Sequence, residues 1–554
     1  MYRNEISRLF KRLNQSPGIP VPSPSTSYWL IPPSPISNHG SDGSTPLPDY
    51  ADVVVIGSGI TGTSFVRALM KNSAKGDDER RPLTVVMLEA RDVCSGATGR
   101  NGGHITPILY AHYQWLKDEF GADVAKDIIR FRLKHLPELV TVAAEENLLE
   151  DSQCREVESF DVFHDKGLYS QVKEMLSVYQ KELPLEGSSY RTHEGDETFK
   201  NLQLSSKTVG CLSTRGRAIH PYRLVTGILE RLLKSYSKNF YLFMHTPCTA
   251  IKTCPQGLYE LSTPKGAIKT SHVVHATNAW ASHLLPGMRR RIVPVRAVMT
   301  AQVPMRGLGS SPGDKKPWTS TRSFTFYPGE SLFAFDYLTQ QTVKLGETDE
   351  ESVWPAPRGE LMFGGGFASN RKSTEDLFAG GLYPPQFDLA NADDSAWNEQ
   401  TASYLGKVLS EYFEAKDGED DKEGDKEEVE MTWSGVIGVS SDEMPWVGRG
   451  SGHDAAMLHP RPTILMIDDP RIANLITCRL PDEIGGKESG EVGMVWIAAG
   501  YSGGGMVHAW LSGKALAEMV GGDLANGLSS PFRIVEERWK RTGIKDLIVR
   551  LLSD

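Results

Sequence analysis

No C-x-x-C pair occurs among the six cysteines (Cys94, Cys154, Cys211, Cys248, Cys254 and Cys478), and their spacing is irregular. That argues against a zinc site or a disulfide framework and leaves free thiols, as in a reducing compartment, as the expectation. No uninterrupted apolar run approaches the roughly 18 to 20 residues of a membrane span, and no apolar signal core follows the N-terminal charges, so insertion and secretion are disfavoured. An excess of base is missing too. The 60 Lys+Arg stand against 70 Asp+Glu, a formal net charge of −10, the wrong sign for general nucleic-acid binding.

The chain has 554 residues, several times the ~150 residues that serve as a prior for one domain, so a large core or two domains is expected. Residues 1–15 (MYRNEISRLFKRLNQ) place Ile6, Leu9, Phe10 and Leu13 at helical spacing among basic residues. This reads as a plain N-terminal helix in a cytoplasmic protein, with a mitochondrial presequence as the alternative. Residues 16–48 are rich in Pro and Ser and are expected to run extended over a surface, pinned by Tyr28, Trp29 and Leu30. The charge run 416–428 has no apolar anchor and reads as a solvated loop.

Residues 51–56 (ADVVVI) form a short β-branched apolar run, as in a buried parallel strand, and a helix is predicted from about Ile60 to Asn72. PLTVVMLEA, Pro82 to Ala90, reads as a second buried strand, so the three make a β-α-β unit with the charged KGDDERR in its connection. Between strand and helix stands Gly57-Ser58-Gly59-Ile60-Thr61-Gly62. In a G-x-G-x-x-G at this place the first glycine permits the turn, the second lets a pyrophosphate approach, and the third lets helix and strand pack closely. The helix N-terminus favours the anion, and Glu89 ends the second strand where a carboxylate binds ribose hydroxyls.

The run from Ala90 to His104 (ARDVCSGATGRNGGH) is built of small residues able to lie flat against an extended ligand, and VWIAAG-YSGGG-MVHAWLSGKALAEMV (Val495 to Val520) repeats strand, glycine turn and helix. Together with AIHPYRL (Ala218 to Leu224), HATNAW (His275 to Trp280), IVPVR (Ile292 to Arg296) and WSGVIGVSSDEMPWVG (Trp433 to Gly448), these features resemble the FAD-dependent oxidoreductases of the D-amino-acid oxidase superfamily, nearest to its glycine, sarcosine and γ-glutamylputrescine oxidases. The resemblance covers most of residues 51–540.

It implies an α/β fold in which a Rossmann-like FAD-binding domain (51–110, 211–295 and 430–540, with an insertion at 451–490) is interleaved with an α+β substrate domain on a mostly antiparallel sheet (111–210 and 296–415). Residues 1–50 are then an N-terminal extension, 416–430 an acidic loop and 541–554 a tail. By the same resemblance Gly57, Ser58, Gly59, Ile60, Thr61 and Gly62 hold the diphosphate and Glu89 the adenosine ribose. Ala90, Arg91, the run Ser95, Gly96, Ala97, Thr98 and Gly99, and then Asn101, Gly102 and Gly103 lie along the ribityl side. Cys248, in the strand TPCTAI, meets the adenine as a small hydrophobe. Ala276, Thr277 and Asn278 close the cleft, with Trp280 as core, and Gly503, Gly504, Gly505 and Met506 bring a helix N-terminus to the flavin pyrimidine ring.

The implied reaction oxidises the C–N bond of an amine or amino acid by hydride transfer to flavin N5, with oxygen or another acceptor taking the electrons. No metal is called for. Two departures bear on substrate and cofactor. Gly435 stands where sarcosine oxidases tether the flavin through cysteine, implying non-covalent FAD, and Val507 stands where they present a lysine to the substrate carboxylate. His104 and Tyr337 are candidates for lining the pocket, and Arg100, Arg296 or Arg322 could supply a missing cation. Two alternatives stay open: a non-catalytic flavin-fold binding protein, and an NAD(P)-dependent dehydrogenase, which would need a second strand-G-x-G-x-x-G-helix that Gly364-Gly365-Gly366 does not supply.

Overall fold

A computed structural model of the chain describes residues 11–73, 82–254, 257–305, 307–309, 318–343, 354–366, 388–414, 429–449, 494–522, 525 and 527–542. Residues 1–10, the KGDDERR connection, nearly all of the acidic run, the 451–490 insertion and nearly all of the C-terminal tail lie outside them.

Two sheets organise the chain. The first has eight described strands, of which six follow the order β5-β6-β4-β1-β2-β3, where β1 is Tyr50–Ile56, β2 Val85–Leu88, β3 Phe240–Phe243, β4 Gly266–His275, β5 Trp446–Arg449 and β6 Met494–Ala499. All their contacts are parallel except that of β5 with β6. A hairpin, Ala250–Thr253 and Tyr259–Thr263, pairs antiparallel to the start of β4. From Ala51 to Ile56, β1 is buried throughout, which is why its sequence is uniformly apolar rather than alternating. The chain leaves β1 to one side for β2 and comes back on its other side as β4, so β1 lies at a switch point, where open α/β sheets place their ligand crevice.

Helix α1 (Ile60–Ser73) follows β1 and packs on α2 (Ala509–Val520), which follows β6. Small residues let the two axes come close: a side chain at Gly513 would meet the Thr61 carbonyl at 2.5 Å, and Ser64 Oγ donates to the Trp510 carbonyl at 2.6 Å.

The second sheet has ten described strands and is mostly antiparallel. Its centre runs Ile292–Gln302, Leu361–Gly365, Asp336–Gln340, Arg322–Tyr327, Arg155–Phe163 and Gly210–Ala218, with one parallel contact between Arg322–Tyr327 and Arg155–Phe163. The long strand Val429–Ser440 pairs with Ile292–Gln302 along nearly its whole length. Phe160, Phe324, Phe326 and Phe363 pack from this sheet against Tyr412 and Phe413 at the end of the helix Glu399–Tyr412. Beside this sheet lie two helices, Tyr110–Phe120 and Ala122–Glu145, broken by Gly121 at φ 84°.

Three expectations change. Gly210–Ala218 and Val429–Ser440, assigned by sequence mostly to the FAD-binding segments, hydrogen-bond in the second sheet. Strand pairing decides membership here, and a strand's local pattern does not name its partner. The Pro- and Ser-rich segment does not simply run over a surface: Ser25, Ser27, Trp29, Ser34 and Ile36 are buried. Ser25, Ser27 and Trp29 carry side-chain donors that reach carbonyls of the body, so the segment is part of the interior wall. Cys248 lies in the loop between β3 and Ala250–Thr253 rather than in a strand.

Candidate functional site

A cleft, partly open to solvent, runs along the C-terminal ends of β1, β2 and β4 and continues between the two sheets. Its wall reaches from the glycine turn after β1 to the second sheet, a course that suits an extended ligand. From the G-x-G-x-x-G motif, Gly57, Gly59, Ile60 and Thr61 form wall. Gly57 has φ +109°, a conformation L side chains rarely adopt, and a Cβ there would strike the Ala276 carbonyl at 2.6 Å. Gly62 is not wall; a Cβ on it would lie 2.1 Å from the Gly57 carbonyl, so this glycine serves helix–strand packing. Ser58 is also behind the wall, where its N–H and Oγ–H donate to Glu89 Oε2 at 3.0 and 2.8 Å. The Arg91 N–H donates to Glu89 Oε1 at 3.2 Å, so the carboxylate is fixed at the end of β2.

After β2 the wall includes Glu89, Ala90, Arg91, Gly96, Ala97, Thr98 and Asn101. Ser95, Gly99, Gly102 and Gly103 stand behind it and shape the run. A Cβ at Gly99 would meet the Cys94 carbonyl at 2.3 Å and one at Gly103 the Ile219 carbonyl at 2.4 Å. Thr98 Oγ1 accepts the Ile60 N–H at 3.1 Å, joining this run to the helix start. Arg91 is buried; its guanidinium donates to Asp394 at 2.8 Å and lies over the Trp280 ring.

On the far side Ala276, Thr277 and Asn278 follow β4, and Asn278 Oδ1 accepts the Gly500 N–H at 3.0 Å. Trp280, expected as core, is buried with Ala279 and Val436 and also forms wall. Cys248 is wall as well, and burial pushes its thiol up to about 12, which leaves it protonated and fits a small hydrophobe. Gly503, Gly505 and Met506 reach the cleft and Gly504 lies behind them. A short 3₁₀ turn, Gly505–Val507, precedes α2, so the regular helix starts three residues later than the sequence pattern implied. Behind the turn Arg132 Nε donates to His508 Nε2 at 3.1 Å, and His508 Nδ1 lies 2.8 Å from the Gly504 carbonyl. Burial, and then the guanidinium beside it, hold His508 well below its ordinary value, so it stays neutral and its Nδ1 carries the proton donated to Gly504.

The second sheet closes the cleft with Ala297, Met299, Tyr337 and Gly435–Gly438. Tyr337 is the polar side chain among these, and its hydroxyl donates to Met299 Sδ at 3.0 Å. His104 is not wall. It sits edge-on to Tyr337 at 5.3 Å between ring centroids, and burial lowers it to about 3. The side chain of Val507 is buried away from the cleft in the core. Arg296 and Arg322 are not wall either. Arg100 is, but its guanidinium already donates to the Ser95 and Ser434 carbonyls at 2.7 Å each, and burial lowers it to about 10. Sequence reasoning missed Tyr501, whose hydroxyl shares a 2.9 Å hydrogen bond with Thr61, and Gly18–Pro20, which no motif signals.

Several buried polar atoms around this cleft have no protein partner: Arg91 Nε, Thr277 Oγ1, Trp280 Nε1 and His283 Nε2. Buried polar atoms are rarely left so unless a ligand or water meets them, and a dinucleotide fits that demand. No group of three or more His, Cys, Asp or Glu able to hold a metal occurs among the described residues. No described helix is long and apolar enough to cross a membrane.

The fold is similar to that of glycine oxidase from Geobacillus kaustophilus (TM-score 0.56, 14% identity, covering 88% of this chain and 99% of that one). It is also similar to L-proline dehydrogenase from P. horikoshii (TM-score 0.53, 18% identity, covering 88% and 97%) and iminodiacetate oxidase from Chelativorans sp. BNC1 (TM-score 0.54, 15% identity, covering 87% and 98%). No curated protein matches the sequence. Residues 52–519 match the model of the FAD dependent oxidoreductase family, a span that takes in every strand of the first sheet and both wall-forming glycine turns, and the chain belongs to that family.

Proposed function

We propose that this flavoenzyme oxidises the C–N bond of an amine, and that its preferred substrates carry no α-carboxylate. Names of the structural neighbours point to amino acids and related amines: glycine, proline and iminodiacetate. The observation that carries the narrower reading is the composition of the wall between cleft and second sheet. Ala297, Met299, Val436 and Ile437 are apolar, Gly435 and Gly438 carry no side chain, and Tyr337 is neutral. A carboxylate placed there would lose its hydration without gaining a cation, a cost of several kcal/mol, whereas an amine without that group meets an apolar surface suited to it.

FAD, when bound, supplies the two-electron acceptor that takes hydride from the carbon bearing the amine and gives the electrons on to oxygen or another acceptor. Around it, Gly57, Gly59 and the start of α1 would hold the diphosphate and Glu89 the ribose hydroxyls. Gly503, Gly505 and Met506 would present backbone N–H groups to the pyrimidine ring, where their partial positive charge stabilises added electrons. Tyr337 would orient the substrate, and Met299, Val436 and Ile437 would exclude water. In this reading the first sheet is the FAD-binding domain and the second the substrate domain.

Matched pairs test the substrate class: an amine and the same molecule carrying an α-carboxylate, for example putrescine against ornithine, compared by the rate at which each reduces the flavin. The amine of each pair should react at least tenfold faster. Faster reaction of the amino acids would overturn the preference and direct attention to Arg100.

A further inference from the structure

We propose that residues 16–24, hinged on the buried anchor Ser25–Trp29, form a latch over the cofactor cleft, so that FAD enters and leaves only when this strap lifts. The inference rests on the assignment of the cleft to FAD. The strap lies N-terminal to the family match, which begins at residue 52.

Gly18, Ile19 and Pro20 are wall of the cleft, on the same cavity as Trp280, His283 and Leu284. Ile19 is both wall and 38% exposed, as expected of a residue at the mouth whose apolar face a bound ring would cover. The strap is fixed at two ends. On the C-terminal side the Ser25 N–H donates to the Asp394 carbonyl at 2.7 Å, and Ser25 Oγ accepts the Ser434 N–H at 3.0 Å. Ser27 Oγ donates to the Gly99 carbonyl at 2.7 Å and Trp29 Nε1 to the Asn101 carbonyl, while the buried Trp29 ring packs edge-on against His220. Of these partners Asn101 is wall and Gly99 stands behind it in the same run. The N-terminal side is held by exposed or half-buried bonds, Ser16 Oγ with His283 Nδ1 at 2.8 Å and Arg290 Nε with Asn14 Oδ1 at 2.5 Å.

Between Gly18 and Ser25 no hydrogen bond ties the strap to the body among the described residues. Pro17, Pro20, Pro22 and Pro24 explain this, since they lack an N–H and stiffen the chain in an extended form. A stiff span anchored firmly at one end and weakly at the other moves as a unit. Lifting it breaks a few solvent-accessible bonds rather than a sheet ladder.

The test compares full-length protein, a chain lacking residues 1–10 and a chain lacking residues 1–24, each reconstituted with FAD. Release is followed by the rise in flavin fluorescence after dilution, and folding by circular dichroism with saturating FAD. The latch requires FAD to leave the 1–24 deletion at least tenfold faster than the other two. Rates within twofold overturn it. A second reading needs no deletion: an Ile19→Cys variant, with labelling at that peptide followed by mass spectrometry, should react with a thiol reagent at least tenfold more slowly when FAD is bound. Equal labelling with and without FAD overturns the latch, even if the deletion fails to fold. Failure of the full-length chain to take up FAD would instead overturn the assignment of the cleft, and the latch with it.

Discussion

The phenol of Tyr337 donates its hydrogen bond to the thioether of Met299, 3.0 Å away, at the edge of the cleft between the two sheets. A thioether is a weak acceptor, so the hydroxyl is readily turned to a better partner. The ring itself is fixed: a Cβ at Gly102 would lie 2.6 Å from it, and His104 packs on it edge-on. Tyr337→Phe should therefore keep the fold and the FAD content but raise KM for an amine about tenfold, the equivalent of one hydrogen bond of about 1.4 kcal/mol. Unchanged steady-state kinetics would remove Tyr337 from the substrate site.

The second and third glycines of the diphosphate loop should fail in different ways. A Cβ at Gly59 meets only Thr98 Oγ1 at 3.1 Å, whereas one at Gly62 lies 2.1 Å from a backbone carbonyl. Gly59→Val should give a folded protein that retains no FAD. Gly62→Ala should be destabilised by about 3 kcal/mol or more, because the helix must shift from the strand. Flavin content after gel filtration and thermal midpoints separate the two outcomes; FAD retained by a folded Gly59→Val protein counts against the diphosphate assignment.

The flavin should be held without a covalent bond. Gly435 offers no thiol to the cleft, His104 is behind the wall, and the one wall cysteine among the described residues, Cys248, is kept protonated by burial. Acid precipitation should leave a colourless pellet and a fluorescent supernatant. A yellow, fluorescent pellet would show a tether.

Acid should weaken the fold through buried histidines, of which His275 is the plainest case. Neither ring nitrogen has a protein partner, and burial lowers the imidazolium to about 3 from its ordinary 6.5. As pH falls below about 6.5 the unfolded chain takes up a proton that the folded chain refuses, so stability declines by about 1.4 kcal/mol per pH unit until the folded value is reached. His275→Leu removes this proton. Between pH 7.5 and pH 5 the variant should lose about 2 kcal/mol less stability than the parent; equal losses would show that His275 does not titrate this way.

The glycine turn after β1 and Glu89 were legible as one end of the cleft because the demands there fall on the backbone. A turn at φ +109°, a close approach and a helix start each restrict residue type at a fixed spacing, so Gly57–Gly62 and Glu89 could be placed there from the sequence. The wall on the second sheet was less so. Tyr337, Met299 and Ile437 come from three strands whose pairing only the fold reveals, and His104, a neighbour in sequence to the flavin-facing run, turns out to stand behind Tyr337. The strap was misread for a related reason: Pro and Ser mark an extended chain, but nothing local says that Ser25, Ser27 and Trp29 find carbonyl partners from residues 99 to 394. Trp280 was taken for core because an indole in a helical turn usually is, and its unpartnered Nε1 became visible only with the cleft.

Anaerobic mixing of the purified FAD-loaded protein with a panel of primary and secondary amines, amino acids and NAD(P)H, read by loss of the oxidised flavin's visible absorption, tests the central claim most directly. C–N oxidation requires that at least one amine or amino acid bleaches the flavin within the mixing experiment while NAD(P)H does not. A flavin that stays oxidised with every amine and amino acid, or that only NAD(P)H reduces, would contradict it.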